Sequence, residues 1–484
     1  MHAMGVKKNF LYSSVLTTAG YIFPLITFPY VSRVLGVTNI GICNFVDSII
    51  NYFVLFSMLG MQNTGIREIA RNRGDKTGLS KTFFSIIGLN MMLVVIVATA
   101  LVVSIQVVPQ LAEHKALMYI GLAKLLIASS MIDWFYRGLE NFRYITVRNI
   151  VIRCFYVVAV FVFIREKDDY VTYFALAAIT EGLNALVNCI HARKYLTFAV
   201  KDVHPFKYLK SCLTLGSYSL LTSMYTSFNV VFLGFVTNTT EVGLYATATK
   251  LHKIIIGFLL AFTAVMLPRM SHLLAEGKTE EFREKISKSF SVLIYFSFPL
   301  IVICSVFASE IIAIISGPGY EKAAIPLTII MPLVFIIGFE QILVVQILIA
   351  LKKDRTILVN AIIGAIVGVT ANLLMVKSMG CIGSSIAWLL SELSVMIATV
   401  VVARQYFSLS NTTKKMLVNF LYSIPAVIVC IAIKHFDPSP IRALFVATFF
   451  VAAYYGCLHL FVIKDKDLMS LIPKKARFAL NDKR

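Results

Sequence analysis

The sequence predicts an all-α polytopic membrane protein of about fourteen transmembrane helices. Three observations carry that expectation. The chain of 484 residues is 58% hydrophobic with a mean hydropathy of +0.81, more than a soluble fold can cover with polar surface. The apolar residues recur in blocks of about 20, the length of helix that crosses about 30 Å of hydrocarbon. Alternation in ten-residue segments, the pattern of an outer-membrane barrel, is absent.

In order along the chain, the blocks run near 10–32, 40–64, 82–107, 115–137, 148–165, 170–192 and 212–237, then 243–268, 289–315, 325–351, 356–377, 381–403, 416–433 and 441–463. The first follows "MHAMGVKKNF" without a small-residue cleavage site, so it is expected to be retained rather than removed as a signal peptide. It carries Pro24 and Pro29, each of which removes a helical hydrogen bond and favours a kink. Ahead of the ninth block, "SHLLAEGKTEEFREKISKSF" (271–290) sets Phe282, Ile286 and Phe290 on one face, as in an interfacial amphipathic helix.

The formal charge of +20 reflects topology rather than a nucleic-acid partner. With the N-terminus inside, about 33 of the 45 Lys and Arg fall in cytoplasmic loops and tails, against about 8 on the other side. Stretches such as "REIARNRGDK" (67–76), "LKKDR" (351–355) and the tail from 464 contribute most strongly. Both termini are therefore expected in the cytoplasm, which an even number of spans requires. The eight cysteines lie in or beside apolar spans without CxxC spacing, as packing residues do. No HExxH, P-loop or GxSxG motif occurs, so the sequence predicts neither a resident metal nor ATP hydrolysis by the chain itself.

The connection near 192–211 divides twelve of the spans into two sets of six. A weak similarity between "YSSVLTT" (12–18) and "YSLLTSM" (218–224) is consistent with a parallel repeat. The expected organisation is an N-lobe over 1–205, a C-lobe over 206–405, and two further helices with a basic cytoplasmic tail over 406–484.

An ionisable residue within a span costs roughly 2.5–3.5 kcal/mol on insertion scales, so it is expected to face a partner or a wet cavity. Lys124 and Glu181, both near mid-depth in the first half, are candidates to neutralise each other, and Asp47 in span two is a further coupling or charge-pair candidate. Asp133 and Arg137 are spaced i, i+4 and predict a pair on one helix. In the second half, Glu340 and Glu392 lie mid-span and are candidates for a returning proton or sodium ion. Lys250 and Lys253, i and i+3 in "YATATKLHKIIIGF", share a helix face and have no acid nearby on it. They predict a cavity of positive potential for an anionic cargo, unless Lys253 pairs with Glu340 or Glu392. His252 points elsewhere on the helix and is expected to pack.

Several ordered stretches resemble the polysaccharide-biosynthesis flippases, the O-antigen and capsule repeat-unit translocases of the multidrug/oligosaccharidyl-lipid/polysaccharide exporter superfamily. They are "PYVSRVLGVTNIGICNF" (29–45), "GIREIARNRGD" (65–75), "MIDWFYRGLENFRYIT" (131–146), "EVGLYATATKLHKIIIGFLLAFTAVMLPRMS" (241–271), "GPGYEKAAIPL" (317–327) and "MGCIGSSIAWLLSE" (379–392).

The resemblance implies two six-helix lobes around a cavity lined mainly by spans one, two, seven and eight. It implies alternating access and a polyprenyl-pyrophosphate oligosaccharide as cargo, flipped from the cytoplasmic to the periplasmic leaflet of a bacterial inner membrane. Polysaccharide polymerase machinery would act next. Lys250 and Lys253 would then hold the pyrophosphate. Arg33, at the family's R-x-L-G position, would be a gate or an interfacial anchor. Asn44, Asn51, Gln62 and Asn63 in span two, with Ser223, Thr226 and Asn229 in span seven, would bond sugar hydroxyls.

One departure bears on the cargo. Lipid II flippases carry arginines inside the first helix, and span one here has none before Arg33. A cation-coupled multidrug exporter of the same superfamily would use a carboxylate in span one or seven, and both lack Asp and Glu. A membrane polysaccharide polymerase or ligase would need large outer loops, and the loops here are short.

Overall fold

A computed structural model describes residues 6–197, 203–437 and 439–463. The basic tail from 464 lies outside the described residues, as do 198–202 of the basic connection. The structure is helical, with no strand among the described residues. The helices are α1 (Val6–Met58), α2 (Met61–Arg71), α3 (Lys76–Val107), α4 (Pro109–Ala112), α5 (Lys115–Ala128), α6 (Asp133–Gly138), α7 (Phe142–Phe163), α8 (Tyr170–Ala192) and α9 (Leu209–Thr226). They continue as α10 (Phe228–Val236), α11 (Thr239–Ala275), α12 (Thr279–Val306), α13 (Ala308–Ser316), α14 (Ala324–Ile330), α15 (Leu333–Gln341), α16 (Asp354–Ala403), α17 (Leu409–Phe436) and α18 (Pro440–Cys457).

Length shows where crossings are joined. The 53 residues of α1 would extend about 80 Å at 1.5 Å each, more than two hydrocarbon thicknesses. The helix is broken at Gly36 (φ 75°, ψ 170°), a backbone geometry open to glycine alone among common residues. The 50 residues of α16 are broken likewise at Gly380 (φ 55°, ψ −131°). Among the described residues, ten helices are long and apolar enough to cross a membrane. The bent pair Pro205–Met224 and Phe228–Val236 would make eleven. Counting α1 and α16 as two crossings each, and adding the 37-residue α11, the helices accommodate the expected fourteen. The outward side chains suit lipid: Phe155 is 67% exposed, Leu374 74% and Phe449 78%.

The chain separates into two compact units. One comprises Met1–Ala246 with Val376–Cys381, the other Thr247–Met375 with Ile382–Arg484, so the division passes through α11. In the first unit a buried cluster gathers Phe83, Trp134, Phe135, Tyr136 and Tyr208. Phe83 stacks on Trp134 with ring centroids 5.7 Å apart, and meets Phe135 edge-on at 5.1 Å. Lipid offers no hydrophobic drive between helices, so such ring contacts and buried polar bonds are what hold them together. The short segment Val376–Cys381 belongs to this unit, and Glu241 of α11 accepts the Cys381 backbone N–H at 2.8 Å.

In the second unit Phe307, Ala426, Cys430, Ala447 and Tyr455 form a core between α12, α17 and α18. Phe282, Ile286 and Phe290 are buried on one face of α12, as the sequence predicts, and that helix runs on without a break into the ninth span. Span ten is assembled from α14, α15 and a π-helical run, Ile342–Ile349, which begins two residues after Glu340. In that run Gln346 is buried and accepts from the Ser289 hydroxyl at 2.9 Å.

Candidate functional site

The first unit contains a polar cavity of about 240 Å³ among its membrane helices. Asn51, Val54, Met58, Gln62 and Ile66 line one side, from α1 and α2. Lys124 of α5, Asp133 and Arg137 of α6, and Glu181 of α8 supply its charges.

Lys124 sits where three helices meet. Its ammonium donates to Asp47 at 2.5 Å and lies 3.3 Å from Glu181, so the expected Lys124–Glu181 pair is present with Asp47 as a third member. The lysine side chain is 7% exposed, whereas Asp47 and Glu181 are 41% and 37% exposed. The base is therefore sunk in the helices and the acids reach outward. A lysine buried alone would be strongly destabilising; held by two carboxylates and placed 5.2 Å over the Phe174 ring, it is compensated. Asn51 donates to the other Asp47 oxygen at 3.0 Å. Tyr156 and Tyr173 stand beside the group with Cys43. Two acids and one base leave this cluster with one formal negative charge when all are ionised.

At the other end of the cavity the sequence expectation is corrected. Asp133 does not pair with Arg137. Its carboxylate accepts from Arg148 of α7 at 2.9 Å and from Asn188 of α8 at 2.9 Å, and Arg148 also donates to Asn188. The buried guanidinium, 4% exposed, has lost its water and needs the carboxylate more than the exposed Arg137 does. The chain break between α5 and α6 turns Asp133 toward it. Arg137 consequently lines the cavity, its side chain making no hydrogen bond or ion pair among the described residues.

The other predicted residues are placed as follows. Asn44 donates to Ile40 O of its own helix at 2.7 Å. Asn229 is buried and donates to the Tyr245 hydroxyl at 3.1 Å. Arg33 is exposed and donates to Pro29 O at 2.8 Å, three residues before the break in α1. Lys250, half-buried, and Lys253, exposed, lie one turn apart on α11 in the second unit, while the cavity lining comes wholly from the first.

His252 between them is fully buried, edge-on to Trp388 at 5.1 Å, which is packing as expected. The Trp388 indole N–H donates to Glu392 at 2.9 Å, and Glu392 lies beside Glu340. Both carboxyl groups are buried, 3% and 7% exposed. Two acids buried together repel when both are ionised, a different situation from that of the compensated lysine.

Sequence reasoning did not single out Arg137 as a cavity residue, because its i, i+4 spacing from Asp133 offered a sufficient partner. Arg148, the actual partner, stands fifteen residues from Asp133 on another helix, and no local spacing rule reaches that far.

Comparison with known proteins agrees with this architecture. A family model described as polysaccharide biosynthesis protein matches residues 6–274, more than half of the chain. A protein of Escherichia coli K12 named as an O-antigen transporter is 26% identical over 352 residues, covering 71% of this chain and 84% of the relative. Among solved structures, the lipid II flippase MurJ in an inward closed conformation superposes with a TM-score of 0.75 at 14% identity, over 93% of this chain and 98% of that one. An inward-facing multidrug resistance transporter of the MATE family gives 0.60 at 14% identity, over 84% and 99%. These two share the fold.

Proposed function

Because the chain belongs to the polysaccharide biosynthesis protein family, we propose that it is a transporter, not an enzyme, that flips polyprenyl-pyrophosphate-linked oligosaccharide repeat units across the inner membrane for surface polysaccharide assembly. The direction is from the cytoplasmic to the periplasmic leaflet, by alternating access, with both termini cytoplasmic and polysaccharide polymerase machinery taking the product. The observation that carries this reading is the cavity holding Arg137 and Lys124 among membrane helices. Sugar hydroxyls taken into hydrocarbon lose their hydrogen bonds at a cost of several kcal/mol each, so a glycan crosses only along polar walls.

The fold alone fits both a flippase and a drug exporter; the family match and the O-antigen transporter relative favour the glycan. In this reading Arg137 offers the cargo its first cationic contact, and Lys250 and Lys253 hold the pyrophosphate. Asn44, Asn51 and Asn229 serve the sugars, and Arg33 gates or anchors the outer end of span one. The lobes are 1–205 and 206–405, with 406–484 appended.

Asp47, Lys124 and Glu181, together with Glu340 and Glu392, couple the cycle to protons or sodium ions. Their surplus acids supply the negative sites that such an ion needs. With the cell interior negative, an anionic head group moving outward gains about 2.3 kcal/mol per charge per 100 mV.

Depleting the protein in its own cells and locating lipid-linked oligosaccharide tests the assignment. Accumulation on the cytoplasmic leaflet, restored by wild type and poorly by Arg137→Gln or by Lys250→Gln/Lys253→Gln, is expected. Normal glycan export without the protein would overturn the flippase. Full rescue by either variant would remove those residues from the cargo site and leave the flippase standing.

A further inference from the structure

A second cavity, of about 490 Å³, lies along α7 in the first unit, apart from the polar one. Its wall includes Arg143, Tyr144, Val147, Arg148, Val151 and Val187. We propose that this groove binds one anionic phospholipid, with the phosphate at Arg143 and the first turn of α7 and an acyl chain along Val147 and Val151.

Three observations and the proposed topology converge on that occupant. Arg143, Val147 and Val151 follow one another at i, i+4 and i+8, so they form a single stripe about 12 Å long. A charge heads the stripe and bare hydrocarbon follows, the order of groups in a phospholipid. Val147 and Val151 are 51% and 48% exposed, open to an acyl chain.

Arg143 is also in the wrong place for its own helix. Asn141 caps the Tyr144 N–H at 3.4 Å, but the N-terminal turn of α7 still carries the positive end of its dipole, where a cation is unfavourable and an anion favourable. The Arg143 side chain has no ion pair or hydrogen bond among the described residues. The nearby acid, Glu140, is already taken by Arg73 at 3.0 Å.

The third observation is a buried donor. Arg148 lines the groove at 4% exposure, with two of its nitrogens bound by Asp133 and Asn188 and its Nε buried without a partner. An unsatisfied guanidinium donor is costly, and a lipid phosphate or ester oxygen is an acceptor of the right kind. Finally, in the topology proposed above the first turn of α7 lies at the cytoplasmic leaflet, where anionic lipid meets basic side chains.

The full-length protein in nanodiscs of phosphatidylcholine, titrated with phosphatidylglycerol, tests the site by native mass spectrometry and thermal unfolding. Phosphatidylglycerol should be retained and raise the Tm, and phosphatidylcholine should do neither. Arg143→Gln should weaken retention about five- to tenfold without lowering the Tm in phosphatidylcholine alone. Val147→Trp, which fills the apolar part and leaves the charge, should abolish it. Equal retention of both lipids would overturn the proposal, as would wild-type retention by both variants. An equal Tm rise with inorganic phosphate would reduce the site to its charge. Displacement of phosphatidylglycerol by stoichiometric polyprenyl phosphate would hand the groove to the cargo. None of these measurements depends on transport.

Discussion

The charged groups of the two units solve the same problem in opposite ways. In the first unit Lys124 is buried, and its two acids lean outward, Glu181 into the polar cavity. In the second, Glu340 and Glu392 are sealed from the surroundings and lie beside each other. The first arrangement keeps separated charge and needs both a partner and a polar opening. The second sets two acids together away from water, where separated charge is unfavourable. The difference predicts that breaking one cluster strands a charge, while breaking the other removes only a hydrogen bond.

The sharpest way to break that contrast is to neutralise the acids of the first cluster and one acid of the second. Asp47→Asn/Glu181→Gln leaves the buried Lys124 without a counter-charge, and about 3–5 kcal/mol of stability should be lost in detergent unfolding. Glu392→Gln keeps a hydrogen-bonding group beside Glu340 and Trp388, and should cost about 1 kcal/mol or less. Equal losses would mean that the carboxyl pair is also a charged structure. A smaller effect is expected at Gly380, whose backbone is strained for any side chain and whose Cβ would come within 2.4 Å of Glu241 Oε2. Gly380→Ala should cost about 1–3 kcal/mol, mostly in the first unit, read as faster amide exchange around Cys381 than around Tyr455.

The smallest effect belongs to a pair outside the spans. Asp437 accepts from Arg442 at 2.7 and 2.8 Å and from the Ser439 N–H, which holds its carboxyl below the ordinary value. A depressed folded value gives stability that is present above the unfolded pKa and lost as pH falls through the folded one. The Tm gap between wild type and Asp437→Asn should therefore be small at neutral pH and close under strongly acidic conditions. A gap that persists there would show that packing, not charge, is responsible.

Much of the fold was legible because hydrocarbon imposes a length on every crossing, and blocks of that length stand out in the sequence. The breaks at Gly36 and Gly380 fall between predicted spans one and two, and eleven and twelve, where a glycine ends the apolar run. The Lys124–Glu181 pair was legible for a similar reason: two opposite charges at equal depth have few other partners. Asp47 as their third member was not, since depth along a helix says nothing of which face it shows.

Asp133 failed for the opposite reason. A local partner at i+4 was available, and tertiary burial of Arg148 outbid it. Arg137 thereby became a cavity residue that no spacing rule would have singled out. The lysines of α11 were legible as unusual, but the sequence does not say which walls they share.

The bond from Cys381 to Glu241 spans 140 positions of the chain. A ribosome therefore releases nearly the whole of the first unit long before its last piece, Val376–Cys381, has been synthesised. Until then the Glu241 carboxylate lacks this backbone amide and must be tended by water, lipid head groups or the insertion machinery. Biogenesis thus cannot proceed as two finished halves in succession, because the earlier half is completed only from within the later one.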